Sequence, residues 1–167
     1  TAGAHPIHDM ATDTANPPAF SSATLAARAK ADANPINGYD VPLGKTEQFN
    51  DASDALATQT YADIIASNYP DLAPLEIGDI GTNAAVEALQ MAMADMGLTG
   101  IRYNEDTATV EGLAETFWFG FKDDVVARVE GGRIDFRSVS RVGRSDLGAN
   151  AKRIMDLRAR TAEKLGL

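Results

Sequence analysis

Between residues 82 and 97 the apolar positions Val86, Leu89, Met93 and Met96 recur at steps of 3, 4 and 3, the stripe of a helix that hides one side and wets the other. Thr82 or Asn83 can cap its start, and Gly97 supplies a stop. A second stripe runs through Leu147, Ala151, Ile154, Leu157 or Arg158, Thr161 and Leu165, predicting a helix from about Leu147 to Leu165 with Gly166 after it. Between these helices the period falls towards 2, and strands are expected at approximately Gly100–Tyr103, Thr107–Leu113, Glu115–Phe121, Val125–Val129 and Arg133–Arg141. "EGGR" and "KDD" read as hairpin turns, the former because adjacent glycines accept the positive φ of a tight turn. Upstream, Leu75, Ile77 and Ile80 predict a short strand after the linker "PDLAP". Phe49, Ala52, Leu56, Tyr61, Ile64 and Ile65 form a loose helical stripe between Thr46 and Asn68.

Residues 1–46 show little periodicity and hold Pro6, Pro17, Pro18, Pro35 and Pro42, five of the chain's 7 prolines. Proline lacks an N–H and pushes its predecessor towards extended geometry, so this part reads as an irregular arm with one short helix at Ala23–Lys30. The predicted fold class is α+β: a two-layer sandwich of an antiparallel meander of about five strands, helices on one face, and a long N-terminal arm. The division expected is an arm over 1–46 and one domain over 47–167, with a helix at 47–68 and the core at 75–167. A chain of 167 residues is one domain long and can bury about 70% of its unfolded surface.

The stretch "TFWFGFKDDVVARV", Thr116 to Val129, is the most pointed in the chain. As a strand it places Phe117, Phe119 and Phe121 on one face, predicting core, and Trp118 on the other. With Ile134 and Phe136 inside, Arg133, Asp135, Arg137, Val139 and Arg141 join Trp118 on the helix-free face. An aromatic ring among guanidinium groups can take an anion, a polar aromatic ligand or a protein partner; the competing expectation is that the arginines or the arm simply cover it. Asp123 and Asp124 are expected in a turn, in water and pointing apart, which leaves nothing to separate their pKa values for acid–base work.

"RVGRSDLGANAKR" offers a second site. Arg141 and Arg144 precede a helix starting near Ser145 or Asp146, with Asn150 ending the turn, and free N–H groups at a helix start attract phosphate or carboxylate. Asp146 is itself a good N-cap and would occupy those groups. In "HPIHDMATD" the side chains of His5, His8, Asp9 and Asp13 lie close enough in sequence to be weak metal candidates, but a proline-bounded arm without cysteine does not fix their geometry, and no metal is expected. No glycine-rich phosphate loop, G-x-S-x-G or H-E-x-x-H is present, so no cofactor and no catalytic residue is assigned.

Composition narrows the setting. The chain has no cysteine and a formal net charge of -9, which disfavours nucleic acid as a partner. The charge is uneven: residues 1–121 carry 4 Lys and Arg against 17 Asp and Glu, while residues 122–167 carry 11 against 7. That split signals a partner or, equally, attraction between the two parts of one chain. No run approaches the ~20 apolar residues of a membrane span. A start at Thr1 in "TAGAHP" fits either a mature exported protein whose leader or anchor is absent from the chain or a chain with its start trimmed; the first is favoured, so an extracytoplasmic, periplasmic and membrane-associated location is expected.

"FWFGFKDDVVARV", "DFRSVSRVGRSDLGANAKRI", the linker "NYPDLAPL" and the arm "IHDMATDTANPPAF" together resemble the family called domain of unknown function 1499, found in bacteria and plastids. The resemblance covers Ile7 to about Arg160 and is most specific from Phe117 to Arg153. It implies a soluble domain often preceded by hydrophobic membrane segments or an export signal, and it implies no activity and no catalytic residues. The arm with "TDTANPP" and the Arg141–Asn150 turn are family-like stretches of unassigned role. The expected function is a non-catalytic extracytoplasmic interaction domain, an accessory or assembly subunit of a membrane protein complex with a protein partner. The alternative is a protein that binds a small anionic or lipid-derived ligand through Trp118, Arg137, Arg141 and Arg144, and a hydrolase comes third.

Overall fold

The computed structural model describes residues 7–145 and 148–167. Its centre is an antiparallel sheet of six strands, β1 (Asp9–Ala11), β2 (Leu75–Glu76), β3 (Thr99–Asn104), β4 (Thr109–Glu115), β5 (Lys122–Glu130) and β6 (Arg133–Ser140). The four longest strands form a meander in the order β6-β5-β4-β3, and both short strands pair with the outer edge of β6. β2 takes the start of β6, Leu75 opposite Ile134, and β1 takes its end, Asp9 opposite Val139. The helices are α1 (Ser22–Lys30), α2 (Asp54–Ala57), α3 (Tyr61–Asn68), α4 (Thr82–Asp95) and α5 (Ala149–Lys164). The chain is therefore α+β, as its alternating periods predict.

Local chemistry explains several boundaries. Gly131 and Gly132 join β5 to β6 at φ 61 and 73, and Glu130 and Arg133 close the hairpin around them. Both central residues take positive φ, as a right-twisted two-residue hairpin requires. Gly97, at φ 79, ends α4. α3 starts with a capping box in which Thr60 and Asp63 satisfy each other's backbone N–H. The single helical stripe expected from Thr46 is broken into a short 3-10 turn at Glu47–Phe49, α2 and α3, although Phe49, Tyr61, Ile64 and Ile65 are buried as the stripe requires. α5 begins at Ala149, after its N-cap Gly148 in the left-handed region.

One face of the sheet is apolar and carries the core. Val125, Ala127, Val129, Ile134 and Phe136 pack under α4 and α5, whose Val86, Leu89, Met93, Ile154 and Leu157 close over them. The opposite face is not bare. The arm crosses it and sets Phe20 against Val126 and Val139, and α1 lies beyond. β1 is itself part of the arm, so the arm docks on its own domain and completes its sheet.

The largest departure from the sequence-based expectation is the aromatic segment. Glu115 pairs with Lys122 at the last rung of the β4–β5 ladder, so residues 116–121 form the connecting loop and Lys122-Asp123-Asp124 belongs to a strand. Gly120, at φ 62, breaks the extended conformation that period 2 presumes. Phe117, Phe119 and Phe121 are consequently outside the core.

Candidate functional site

Two features stand out from the described residues: a set of buried ion pairs beneath the arm, and an exposed aromatic tip at one end of the sheet.

The ion pairs follow from strand alternation. On the arm-facing side of β5 and β6 the residues Asp124, Arg128, Asp135, Arg137 and Arg141 alternate with valines, and a charge on a covered face needs a partner because desolvation disfavours it. Arg137 and Asp9, 5% and 1% exposed, meet in a two-pronged contact at 3.0 and 2.8 Å. The third arm of the guanidinium donates to the Pro18 carbonyl at 3.0 Å, and its plane lies over the rings of Tyr39 and Phe20. The Tyr39 hydroxyl also donates to Asp9. Burial works against the Arg137 charge, but the Asp9 carboxylate outweighs it and holds the group above its ordinary pKa. Burial, and then the same carboxylate, push the Tyr39 and Tyr61 hydroxyls upward.

A second knot surrounds Asp124. Arg141 grips it with two bonds of 2.9 and 2.8 Å, and Arg28 of α1 adds a third at 2.7 Å. That contact with Asp124 raises the pKa of Arg141. Further along, Asp13 accepts from both Arg128 and Arg133 at 3.2 Å, and Glu111 accepts from Ser21, Thr24 and Arg102. The arm is held by complementary charge as much as by apolar contact. Much of the charge asymmetry between the two parts of the chain is satisfied internally, through Asp9–Arg137, Asp13–Arg128, Asp51–Arg144 and Asp95–Lys164.

These contacts redistribute the residues expected at a binding surface. Arg137 is a buried structural cation and Arg141 is committed to Asp124, so neither stands beside Trp118 as a free guanidinium. Arg144 is exposed, but it pairs with Asp51 at 2.8 Å and lies over Phe49. Asn150 is buried on the helix side, where it donates to Ser140 at 2.8 Å and to the His8 carbonyl at 3.1 Å and accepts from Ser138 at 2.6 Å; it pins the first turn of α5 to the sheet. Asp146, the expected cap, lies outside the described residues, as does His5. Of the metal candidates, Asp9 and Asp13 each face arginine, and His8 is buried beside Tyr61. Among the described residues no group of three His, Cys, Asp or Glu could hold an ion. Asp123 and Asp124 do point to opposite faces, but both are buried, and Asp123 pairs with Arg153 at 2.8 Å. A turn in water was the wrong setting because three arginines distant in sequence neutralise them.

The tip is the opposite case. Phe117, Trp118, Phe119 and Phe121 are 88%, 83%, 76% and 50% exposed, in a stretch of five residues. Phe117 and Trp118 meet edge to face at 5.0 Å, and Phe119 stacks on Phe121 at 5.5 Å, so the rings form two pairs. The loop beneath them is closed. Thr116 N–H donates to the Phe121 carbonyl, Gly120 N–H to the Thr116 carbonyl and Phe121 N–H to the Thr116 hydroxyl, each at 2.9 Å. No other run of described residues displays so many large aromatic rings to solvent.

A family model described as protein of unknown function (DUF1499) matches residues 9–160, which include β1, the arm from Asp9 onward, the tip and the first three turns of α5. The chain belongs to the DUF1499 family. A comparison with curated proteins finds no match. The DUF1499 match thus covers both the buried ion pairs and the exposed rings, and it attaches no activity to either. Among the described residues no helix is long and apolar enough to cross a membrane.

Sequence reasoning kept Trp118 out of the core, on a strand face beside the arginines and either covered by them and the arm or open to a partner, and it missed that its three neighbours are exposed with it in a loop. The signal that identifies the tip is Gly120, together with the two aspartates that follow: a glycine inside an aromatic run marks a turn as readily as a strand.

Proposed function

We propose that this chain is a non-catalytic, extracytoplasmic interaction domain that serves a membrane protein assembly and attaches through the aromatic tip between β4 and β5. The observation that carries this reading is the exposure of four large aromatic side chains within residues 117–121. Each such ring buries some 150–250 Å² when covered, and surfaces that leave this much apolar area in water mark contact sites. Tryptophan also leads the residue types that dominate contact energies. The rest of the molecule supports a passive scaffold. Its buried carboxylates Asp9, Asp123 and Asp124 are each clamped by arginine, an arrangement that holds the arm and the sheet together.

The alternative of a small anionic or lipid-derived ligand held by arginines has weaker support, because Arg137, Arg141 and Arg144 already face carboxylates. The experiment that tests the main reading is fractionation of cells expressing either the native chain or a triple variant, Phe117→Ser with Trp118→Ser and Phe119→Ser. The native chain should travel with the membrane fraction and co-migrate with a stoichiometric membrane partner after mild-detergent extraction. The variant should be released while folding normally. Equal partitioning of the two proteins would refute attachment through the tip.

A further inference from the structure

Resting on the reading of the tip as the docking element, we infer that its immediate partner is the interfacial region of a zwitterionic lipid bilayer, entered by the rings themselves. Two observations favour lipid. First, the four rings are Phe and Trp on a narrow convex hairpin end whose base is closed by three hydrogen bonds among Thr116, Gly120 and Phe121, the shape and chemistry that enter the headgroup boundary to a depth of roughly 5–10 Å. That boundary is hydrated, so it can satisfy the backbone N–H and C=O groups of residues 117–119, which the hydrocarbon core could not.

Second, the tip carries little net charge. Lys122 and Glu115, of opposite sign, stand opposite each other on the last rung of the ladder, and Arg144, in the neighbouring loop after β6, is paired with Asp51. The chain as a whole carries -9, so anionic lipid repels it. Attraction therefore comes from ring burial, and binding should depend little on salt or on anionic headgroups. The tip is far too short to span, so the contact is peripheral and reversible.

Trp118 is the chain's only tryptophan, so its emission reports on the tip alone. Purified full-length chain is titrated with protein-free phosphatidylcholine vesicles and, separately, with vesicles containing phosphatidylglycerol, at low and high salt. The expected result is a blue shift of Trp118 emission with phosphatidylcholine alone, quenched by lipids brominated high on the acyl chain and unchanged by salt. Phe117→Ser with Phe119→Ser should lower partitioning at least tenfold without moving the melting temperature. Binding confined to anionic vesicles and abolished by salt would overturn the inference in favour of a charged surface elsewhere. No shift with any vesicle, together with tip-dependent attachment to native membranes, would overturn the lipid contact and leave a protein partner. No shift and no tip-dependent attachment would remove both readings.

Discussion

Replacing Asp9 with alanine removes the carboxylate that, among the described residues, pairs with Arg137 and leaves its guanidinium, 5% exposed, without that counter-charge beneath Phe20 and Tyr39. Removing one partner of a buried pair typically costs about 3–5 kcal/mol, because the remaining charge stays desolvated. The lost Tyr39 bond acts in the same direction, and it is part of the same network rather than an independent sum. With a urea slope of about 2 kcal/mol per M, the unfolding midpoint should fall by roughly 2 M. The melting temperature should drop by on the order of 10 °C for a chain of this size. Arg137→Met alone strands Asp9 and should cost a similar amount. The double variant Asp9→Ala, Arg137→Met should recover much of the loss, since an apolar pair of similar volume replaces a buried ion pair at little cost. Urea melts of the four proteins close the cycle. A single-variant cost below about 1 kcal/mol would mean the pair is solvated and the arm undocked, which would refute the account of this face. A double variant no better than the worse single would refute the coupling.

Tyr39 and Tyr61 are held protonated by burial and by the Asp9 charge. Their folded pKa values lie above the unfolded value of about 10, so the stability they contribute is complete below that pH and is lost as pH rises above it. Alkaline absorbance titration should find these two hydroxyls ionising only together with unfolding; smooth ionisation in the native state would contradict their burial. Asp124→Ala strands Arg28 and Arg141 and should cost about 3–5 kcal/mol, against the near-neutral result expected of a solvated turn residue; chemical denaturation decides between them. Gly44→Ala puts a methyl carbon 2.7 Å from Ala57 Cβ and 3.2 Å from its backbone, so an overpacking loss of about 1–3 kcal/mol is expected in thermal melts. Gly132→Ala should cost more than Gly131→Ala, because both take positive φ but only the former presses on the Gly78 carbonyl, at 3.2 Å. Equal midpoints would refute that ordering.

Much of this protein is determined locally. The stripe of α4, the stop at Gly97, the Gly131-Gly132 hairpin, the short helix in the arm and the alternation of β6 all follow from neighbouring residues, because helix period, glycine conformation and strand pleat act over a few positions. Alternation also placed Arg137 and Arg141 opposite Ile134 and Phe136, which is where the structure has them. What alternation does not contain is where a strand ends or what covers its far face. The ladder between β4 and β5 closes at Glu115 and Lys122, and that single register turned three phenylalanines from expected core into an exposed tip and two expected turn aspartates into buried strand residues. The register is favourable because Arg28, Arg141 and Arg153 neutralise those aspartates, from positions up to 96 residues away. Likewise the arm's acidic residues and the basic strands carry the charge split openly in the sequence, but only folding brings Asp9 to Arg137, 128 residues apart, and makes that asymmetry an internal clasp. Desolvation and ion pairing act between residues that only the tertiary fold brings together, and they determined which of the chain's aromatic and charged groups remain in water.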